Sequence, residues 1–173
     1  PSTYASIVTT IIKREYVKRD GKLFGYNTDF YGLSKLALRI GIDFKGKKVA
    51  DIGTGAGFPG VVLKIARPDI QLTLLDSLQK RLNFLSVVCD ELNLDAELIH
   101  SRAEEGGQNL DLREGFDLVV SRAVAQLNIL SEYCIPYVRL SGSFVAFKAS
   151  AGGEIKSARK AIGILGGKIR NIY

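Results

Sequence analysis

Methionine is missing altogether from these 173 residues, histidine occurs once and cysteine twice. Each scarcity closes off a class of chemistry. Cys89 and Cys134 stand alone without a C-x-x-C pair, and His100 is the single imidazole. A zinc site therefore lacks ligands, and a disulfide framework lacks members. What remains is two buried, reduced thiols, as suits a cytoplasmic protein. No apolar run reaches the roughly 18 residues that a membrane-crossing helix needs, and the first thirty residues carry too much charge for a signal peptide. Neither a metal nor a membrane is expected. Internal repeats and low-complexity segments are absent too. The missing methionine, beside Pro1 as first residue, leads to the expectation that residues of a longer chain are not included.

What is present is ordinary in amount. A hydrophobic share of 46% and a charged share of 24% are those of a soluble globular protein. The length suits one domain, or one with an extension, able to bury about two thirds of its unfolded surface. The net charge of +6 and the pI of about 9.4 favour polyanionic partners, though only modestly. No feature speaks to the oligomeric state.

Residues 1–20 read as a helix with Ile7, Ile11 and Ile12 on one side, and Asp20-Gly21-Lys22 as a turn. A second helix is predicted over 29–40, stopped by Gly41, so that residues 1–45 make an N-terminal helical extension. From residue 46 the pattern alternates. Strands are predicted at 48–52, 71–75, 96–100, 116–120 and 143–147, with helices near 59–66, 78–92, 126–133 and 154–165. Residues 168–173 begin a further strand that the sequence does not complete. Strands joined by helices of about ten residues imply right-handed crossovers and a mostly parallel sheet covered on both faces. The expected fold of residues 46–173 is thus α/β and Rossmann-like, with ligands at the carboxyl ends of the strands.

The strongest local signal is Asp51-Ile-Gly53-Thr-Gly55-Ala-Gly57-Phe-Pro-Gly60. Glycines let a backbone leave a strand, turn sharply and approach a ligand closely, and Pro59 suits a first helical turn. Gly55 to Gly60 matches the dinucleotide fingerprint G-x-G-x-x-G, but Gly53 and Gly55, nearest the strand, do not give that spacing. A carboxylate at position 51 would repel a pyrophosphate. It could pair, directly or through water, with the ammonium of a methionine moiety, which favours S-adenosylmethionine over a dinucleotide. Asp76 closes the second strand, where an acid can accept hydrogen bonds from ribose hydroxyls. Asp76 or Ser77 could instead cap the next helix; ribose binding is favoured, and both roles are compatible. His100, in or at the end of a strand, is expected to pack.

Asp51 through Gly60, Leu75-Asp76-Ser77-Leu78 with Lys80-Arg81, Ser101-Arg102-Ala103-Glu104-Glu105, Ser121-Arg122-Ala123 and Phe147-Lys148 follow one another in order. Together they resemble the bacterial small-subunit ribosomal RNA guanine-N7 methyltransferase family, also called glucose-inhibited division protein B. The resemblance covers about residues 48–148. It implies the class I S-adenosylmethionine-dependent methyltransferase fold. It also implies a cofactor pocket lined by Gly53 and Phe58, adenine flanked by Ala103 and Glu104, and Arg122 reaching the cofactor or the target base. Arg122 and Lys148 are expected on the substrate side, and ribosomal RNA or the small ribosomal subunit as partner. The sequence departs from the family where Tyr26-Asn27-Thr28 runs directly into Asp29 and where Ala149 follows Lys148.

The implied reaction transfers a methyl group from S-adenosylmethionine to N7 of a guanine in small-subunit (16S) ribosomal RNA. Guanine N7 carries an exposed lone pair, so no proton need be removed first and no general base is expected. Alignment of nucleophile, methyl carbon and sulfur suffices. Positive charge moves onto the guanine, so Arg122 belongs on phosphate, on the carbonyl oxygen or on the cofactor rather than beside N7. Lys13, Arg14, Lys18, Arg19 and Lys22, with Lys156, Arg159, Lys160, Lys168 and Arg170, could form an RNA-facing surface or merely solubilise. Three other functions compete: methylation of a small molecule or protein on the same fold, a nucleotide-dependent oxidoreductase, and a non-catalytic RNA-binding module. Cofactor preference separates the oxidoreductase, and methyl incorporation into RNA separates the enzyme from the module.

Overall fold

An Asp-Gly pair between two short runs is a hairpin signal, and the backbone obeys it. In the computed structural model, which describes residues 17–20, 22–25, 44–122, 124–148, 152–170 and 172, β1 (Val17–Asp20) and β2 (Lys22–Gly25) pair antiparallel, with Val17 opposite Gly25 and Asp20 opposite Lys22. This corrects the predicted helix over 1–20 at its end. A β-branched residue leading into Asp-Gly favours extended pairing over continued helix. The rest of that helix, the one predicted over 29–40 and the departure at residues 26–28 lie outside the described residues.

Val49, Ala50 and Ile52 put apolar side chains on both faces of one strand, a pattern that suits a sheet covered on both sides. That strand, β3 (Lys48–Ile52), is the centre of a parallel sheet. Beside it lie β4 (Gln71–Asp76) and then β5 (Ala96–His100) in one direction, β6 (Phe116–Arg122) and β7 (Val138–Phe147) in the other. The order β5-β4-β3-β6-β7 reverses between β3 and β6, which is where such sheets open a crevice.

Helices α1 (Gly60–Ala66) and α2 (Gln79–Leu92) follow β3 and β4, the four-residue α3 (Ala103–Gly106) follows β5, α4 (Leu127–Cys134) follows β6 and α5 (Gly152–Ile164) follows β7. Strand alternation sorts the core into two layers. Val49, Leu72, Leu74, Leu118 and Val120 pack with Val61, Leu82, Leu85 and Val88 of α1 and α2. Ala50, Ile52, Leu75 and Val119 pack with Leu130, Cys134 and Tyr137. Each large aliphatic side chain so buried contributes about 1.5–3 kcal/mol by leaving water. Cys89 and Cys134 are both free and buried, and desolvation raises both thiols above their ordinary range.

Two segments differ most from expectation. β7 starts five residues before the predicted 143, and Arg139–Gly142 form an irregularity within it. Phe116 pairs with Val138 and Leu118 with Ser143, and Ser141 takes a left-handed φ of 65° within the interruption. The strand predicted over 168–173 does not form among the described residues. Residues 167–170 are irregular and join no ladder, and without a partner an extended segment is not a strand.

Candidate functional site

The β3–α1 loop begins with Asp51, and alternation turns that residue away from the crevice. Val49 and Asp51 share the face covered by α1, so the carboxylate is wholly buried and its Oδ2 accepts hydrogen bonds from the Thr54 hydroxyl and the Gly60 amide, both at 2.8 Å. Its Oδ1 is buried with no hydrogen-bond partner among the described residues. Burial is the main cause of a pKa raised to about 6; the bonds from Gly60 and Thr54 oppose it, Asp76 adds to it and Arg122 opposes it. Asp51, expected from the sequence to pair directly or through water with a methionine ammonium, is here engaged with Thr54 and Gly60. The side chain is not in the crevice lining, and its geometry is that of a tie between strand end and helix start. Gly60 has to be glycine for the same reason: a Cβ there would lie 2.7 Å from Leu74 Cδ2 and 2.8 Å from Asp51 Oδ2.

The neighbouring strand end behaves differently. Asp76 is 1% exposed yet lines the crevice. Its Oδ2 accepts the Gly55 amide at 2.9 Å and its Oδ1 the Leu78 amide at 3.0 Å, while Arg81 Nη1 approaches Oδ2 at 3.2 Å. The expected capping of α2 by Asp76 is not made: the N-cap is Leu78, with no side-chain cap bond, and Asp76 holds only the Leu78 amide just before the helix. Gly55 presents its amide to Asp76 with φ at 59°, and a Cβ there would meet nothing nearer than Gly53 O at 4.0 Å. The loop thus bends around an acid while leaving space on the crevice side.

Ala103 and Glu104 start α3, which is fixed from below by Tyr137. That phenol is fully buried and donates to the Ala103 carbonyl at 2.7 Å; burial pushes its pKa far upward. Glu104 is exposed and sits 3.6 Å from Arg102 Nη1. On the far wall, Arg122 leaves β6 and places its guanidinium 5.7 Å from the centre of the Phe58 ring, a cation–π distance. Val124 follows it and crowds Gly53, where a Cβ would come within 2.7 Å of Val124 Cγ2.

These residues enclose one crevice of about 680 Å³, within the range of small-ligand sites. Gly53, Gly55, Phe58, Asp76, Ala103, Glu104 and Arg122 all line it, as do Arg81, Val124 and Tyr133. Lys148, expected on the substrate side, does not; its ammonium bonds Ala125 O and Glu154. Val124 and Tyr133 carry no motif and went unseen in the sequence. Tyr137 could have been suspected, since a Tyr in an apolar run needs a partner for its hydroxyl. His100 is exposed rather than packed, and its Nε2 donates to Ser77 O at 3.0 Å. Among the described residues, no group of three or more His, Cys, Asp or Glu is placed to hold a metal ion, and no helix is long and apolar enough to cross a membrane.

The sequence profile of a family described as rRNA small subunit methyltransferase G (GidB) matches residues 35–172. The chain belongs to this family. The ribosomal RNA small subunit methyltransferase G of Clostridium perfringens (strain SM101 / Type A) is 52% identical over 130 residues, covering 74% of this chain and 54% of that protein. That of Clostridium novyi (strain NT) is 55% identical over the same length, with the same shares. The chain thus spans about half the length of the curated relatives it matches. Among solved structures, a precorrin-6y C5,15-methyltransferase from Geobacter metallireducens GS-15 aligns with a TM-score of 0.58 at 14% identity, over 83% of this chain and 75% of that one. An S-adenosylmethionine-dependent methyltransferase from Clostridium acetobutylicum ATCC 824 aligns with a TM-score of 0.53 at 16% identity, over 84% and 56%. At such identities the likeness is one of fold, and the fold is the Rossmann-like class I S-adenosylmethionine-dependent methyltransferase fold.

Proposed function

We propose that this chain binds S-adenosylmethionine in the crevice at the switch point and transfers its methyl group to N7 of a guanine in small-subunit ribosomal RNA. The observation that carries the reading is Asp76, a buried carboxylate that faces the crevice beside the open side of Gly55. A ribose offers two hydroxyl donors to such an acid, and Arg81, half-exposed, is the partner able to make room. The bound cofactor supplies a methyl group activated by a positively charged sulfur. Everything else falls to the chain. Asp76 orients the ribose, Ala103 and Glu104 offer backbone and carboxylate to the adenine, and Phe58 with Arg122 forms the wall against which a base can stack. Because N7 needs no deprotonation, holding it about 3–3.5 Å from the methyl carbon is the main requirement.

In this reading residues 46–173 form the cofactor-binding domain and residues 1–45 an extension to it. The exposed cations Lys156, Arg159 and Lys160 of α5, with Lys168 and Arg170 beyond it, support contact with RNA phosphates. The two buried thiols suit a reducing compartment such as the cytoplasm.

Calorimetry with S-adenosylhomocysteine tests the cofactor. Gly55→Val places a branched side chain at a left-handed φ on the crevice side and should weaken binding about 100-fold or more. Tighter binding of NAD than of S-adenosylmethionine would sink the reading. Labelled S-adenosylmethionine and undermodified small subunits test the substrate: nuclease digestion should release N7-methylguanine, and label on a ring carbon or a ribose oxygen would contradict the assignment.

A further inference from the structure

Between Arg122, the last residue of β6, and Leu127, the first of α4, the chain crosses the mouth of the crevice. This crossing supplies Arg122 and Val124 to the lining, and Val124 stands against Gly53 at close quarters. Helix α4 begins without help from its own cap residue, since the Gln126 side chain makes no capping hydrogen bond. Its first amide is satisfied from outside instead. Leu127 N–H donates to Glu154 Oε2 at 2.6 Å, from the first turn of α5. The same Oε2 lies 2.7 Å from Lys148 Nζ, and Lys148 also donates to Ala125 O at 2.7 Å. A cation just after β7 and an anion at the start of α5 therefore grip a carbonyl and an amide two residues apart in the crossing.

We infer that Lys148 and Glu154 act together as positioning residues, holding the β6–α4 crossing so that Arg122 and Val124 face Gly53 and Phe58 across the crevice. The pair is well placed for it. The two side chains are 13% and 30% exposed, so the bonds between them are partly shielded from water. Bonds in which both partners are charged are among the stronger ones available. A carboxylate beside the first amide of a helix also meets the positive end of the helix dipole. Lys148 and the Leu127 amide accordingly hold the Glu154 carboxyl below its ordinary range. Lys148 is absent from the crevice lining, so it acts through Ala125 and Leu127 rather than on a ligand. The inference rests on the methyl-transfer reading for its kinetic consequence, though not for its structural one.

The test compares Lys148→Met, Glu154→Ala, the double variant and Lys148→Arg in three readouts. These are amide hydrogen exchange at Leu127, affinity for S-adenosylhomocysteine, and methyl transfer to small subunits over a range of salt concentrations. For a positioning pair, exchange at Leu127 should accelerate about tenfold in Lys148→Met and Glu154→Ala, as expected for loss of a charge-assisted hydrogen bond. Their kcat should fall by a similar factor, up to about 100-fold, because small misplacements near reacting atoms cost that much. KM for RNA and its salt dependence should stay as in the parent protein. The double variant should be no worse than the worse single one, and Lys148→Arg should restore much of the loss. Should Glu154→Ala fail to fold, the contrast between Lys148→Met and Lys148→Arg decides alone. A direct phosphate contact would overturn the inference. It would show as a raised KM in Lys148→Met with the salt slope reduced by about one, and no change in Glu154→Ala. If the parent protein transfers no methyl group to RNA, the proposed function fails, and Leu127 exchange with cofactor affinity still decides the pair: unchanged exchange in both variants overturns it.

Discussion

The ends of β3 and β4 both carry an aspartate, both almost wholly buried, within a few residues of the same loop. Asp51 is turned onto α1 by strand alternation and holds Thr54 and Gly60, with one oxygen unpaired among the described residues. Asp76 lies one strand over, accepts the Gly55 and Leu78 amides, keeps Arg81 beside it and faces the crevice. One acid therefore shapes the loop and the other is available to what the loop surrounds. Residue type and position at a strand end do not separate these roles. The face on which the side chain emerges does.

The largest expected effect that sharpens this contrast is on stability against pH. The folded chain keeps the Asp51 proton up to about pH 6, whereas an unperturbed aspartate releases it near 3.8. The folded state thus binds more protons between those values. Asp51's contribution to stability is fully present below pH 3.8 and is lost as pH rises through 6, by about 3 kcal/mol at 1.36 kcal/mol per pKa unit. Urea denaturation at a series of pH values should show that loss in the parent protein and a flatter profile in Asp51→Asn.

Next in size is Gly60→Ala, which forces a methyl group against Leu74 and Asp51. Overpacking of this kind costs about 1–3 kcal/mol, visible as a lower urea midpoint at unchanged slope. Gly55→Ala meets open space and carries only the strain of its φ, so it should destabilise less while weakening cofactor affinity more. Equal effects of the two on both measurements would break the comparison. The smallest change in stability is expected for Arg122→Ala, at no more than about 0.5 kcal/mol for an exposed residue. Methyl transfer by the same variant should be abolished.

The central sheet was legible because buried parallel strands read as short apolar runs and their connections as helical spacing. Strands 48–52 and 96–100 fall where they were predicted, and α2 begins one residue late. The glycine loop was legible because few arrangements need four glycines in eight residues. Less visible was anything that depends on partners distant in sequence. The side to which Asp51 turns follows from the register of β3 against α1, and the role of Lys148 follows from a carboxylate six residues on and a carbonyl twenty-three residues back. The β7 irregularity could not be seen before the pairing with β6 was known, so only the strand from 143 was read. Val124 enters the crevice from the crossing and Tyr133 from α4, placements that no local pattern encodes.

Calorimetric titration of S-adenosylhomocysteine into Asp76→Asn and Asp51→Asn, side by side, tests the central claim most directly. Losing a carboxylate that accepts hydrogen bonds from a ligand should cost about 1.5–3 kcal/mol, at least about tenfold in affinity. The account predicts that loss for Asp76→Asn and an affinity within about threefold of the parent for Asp51→Asn, which keeps an acceptor for Gly60. A loss confined to Asp51→Asn, with Asp76→Asn binding as the parent does, would contradict it.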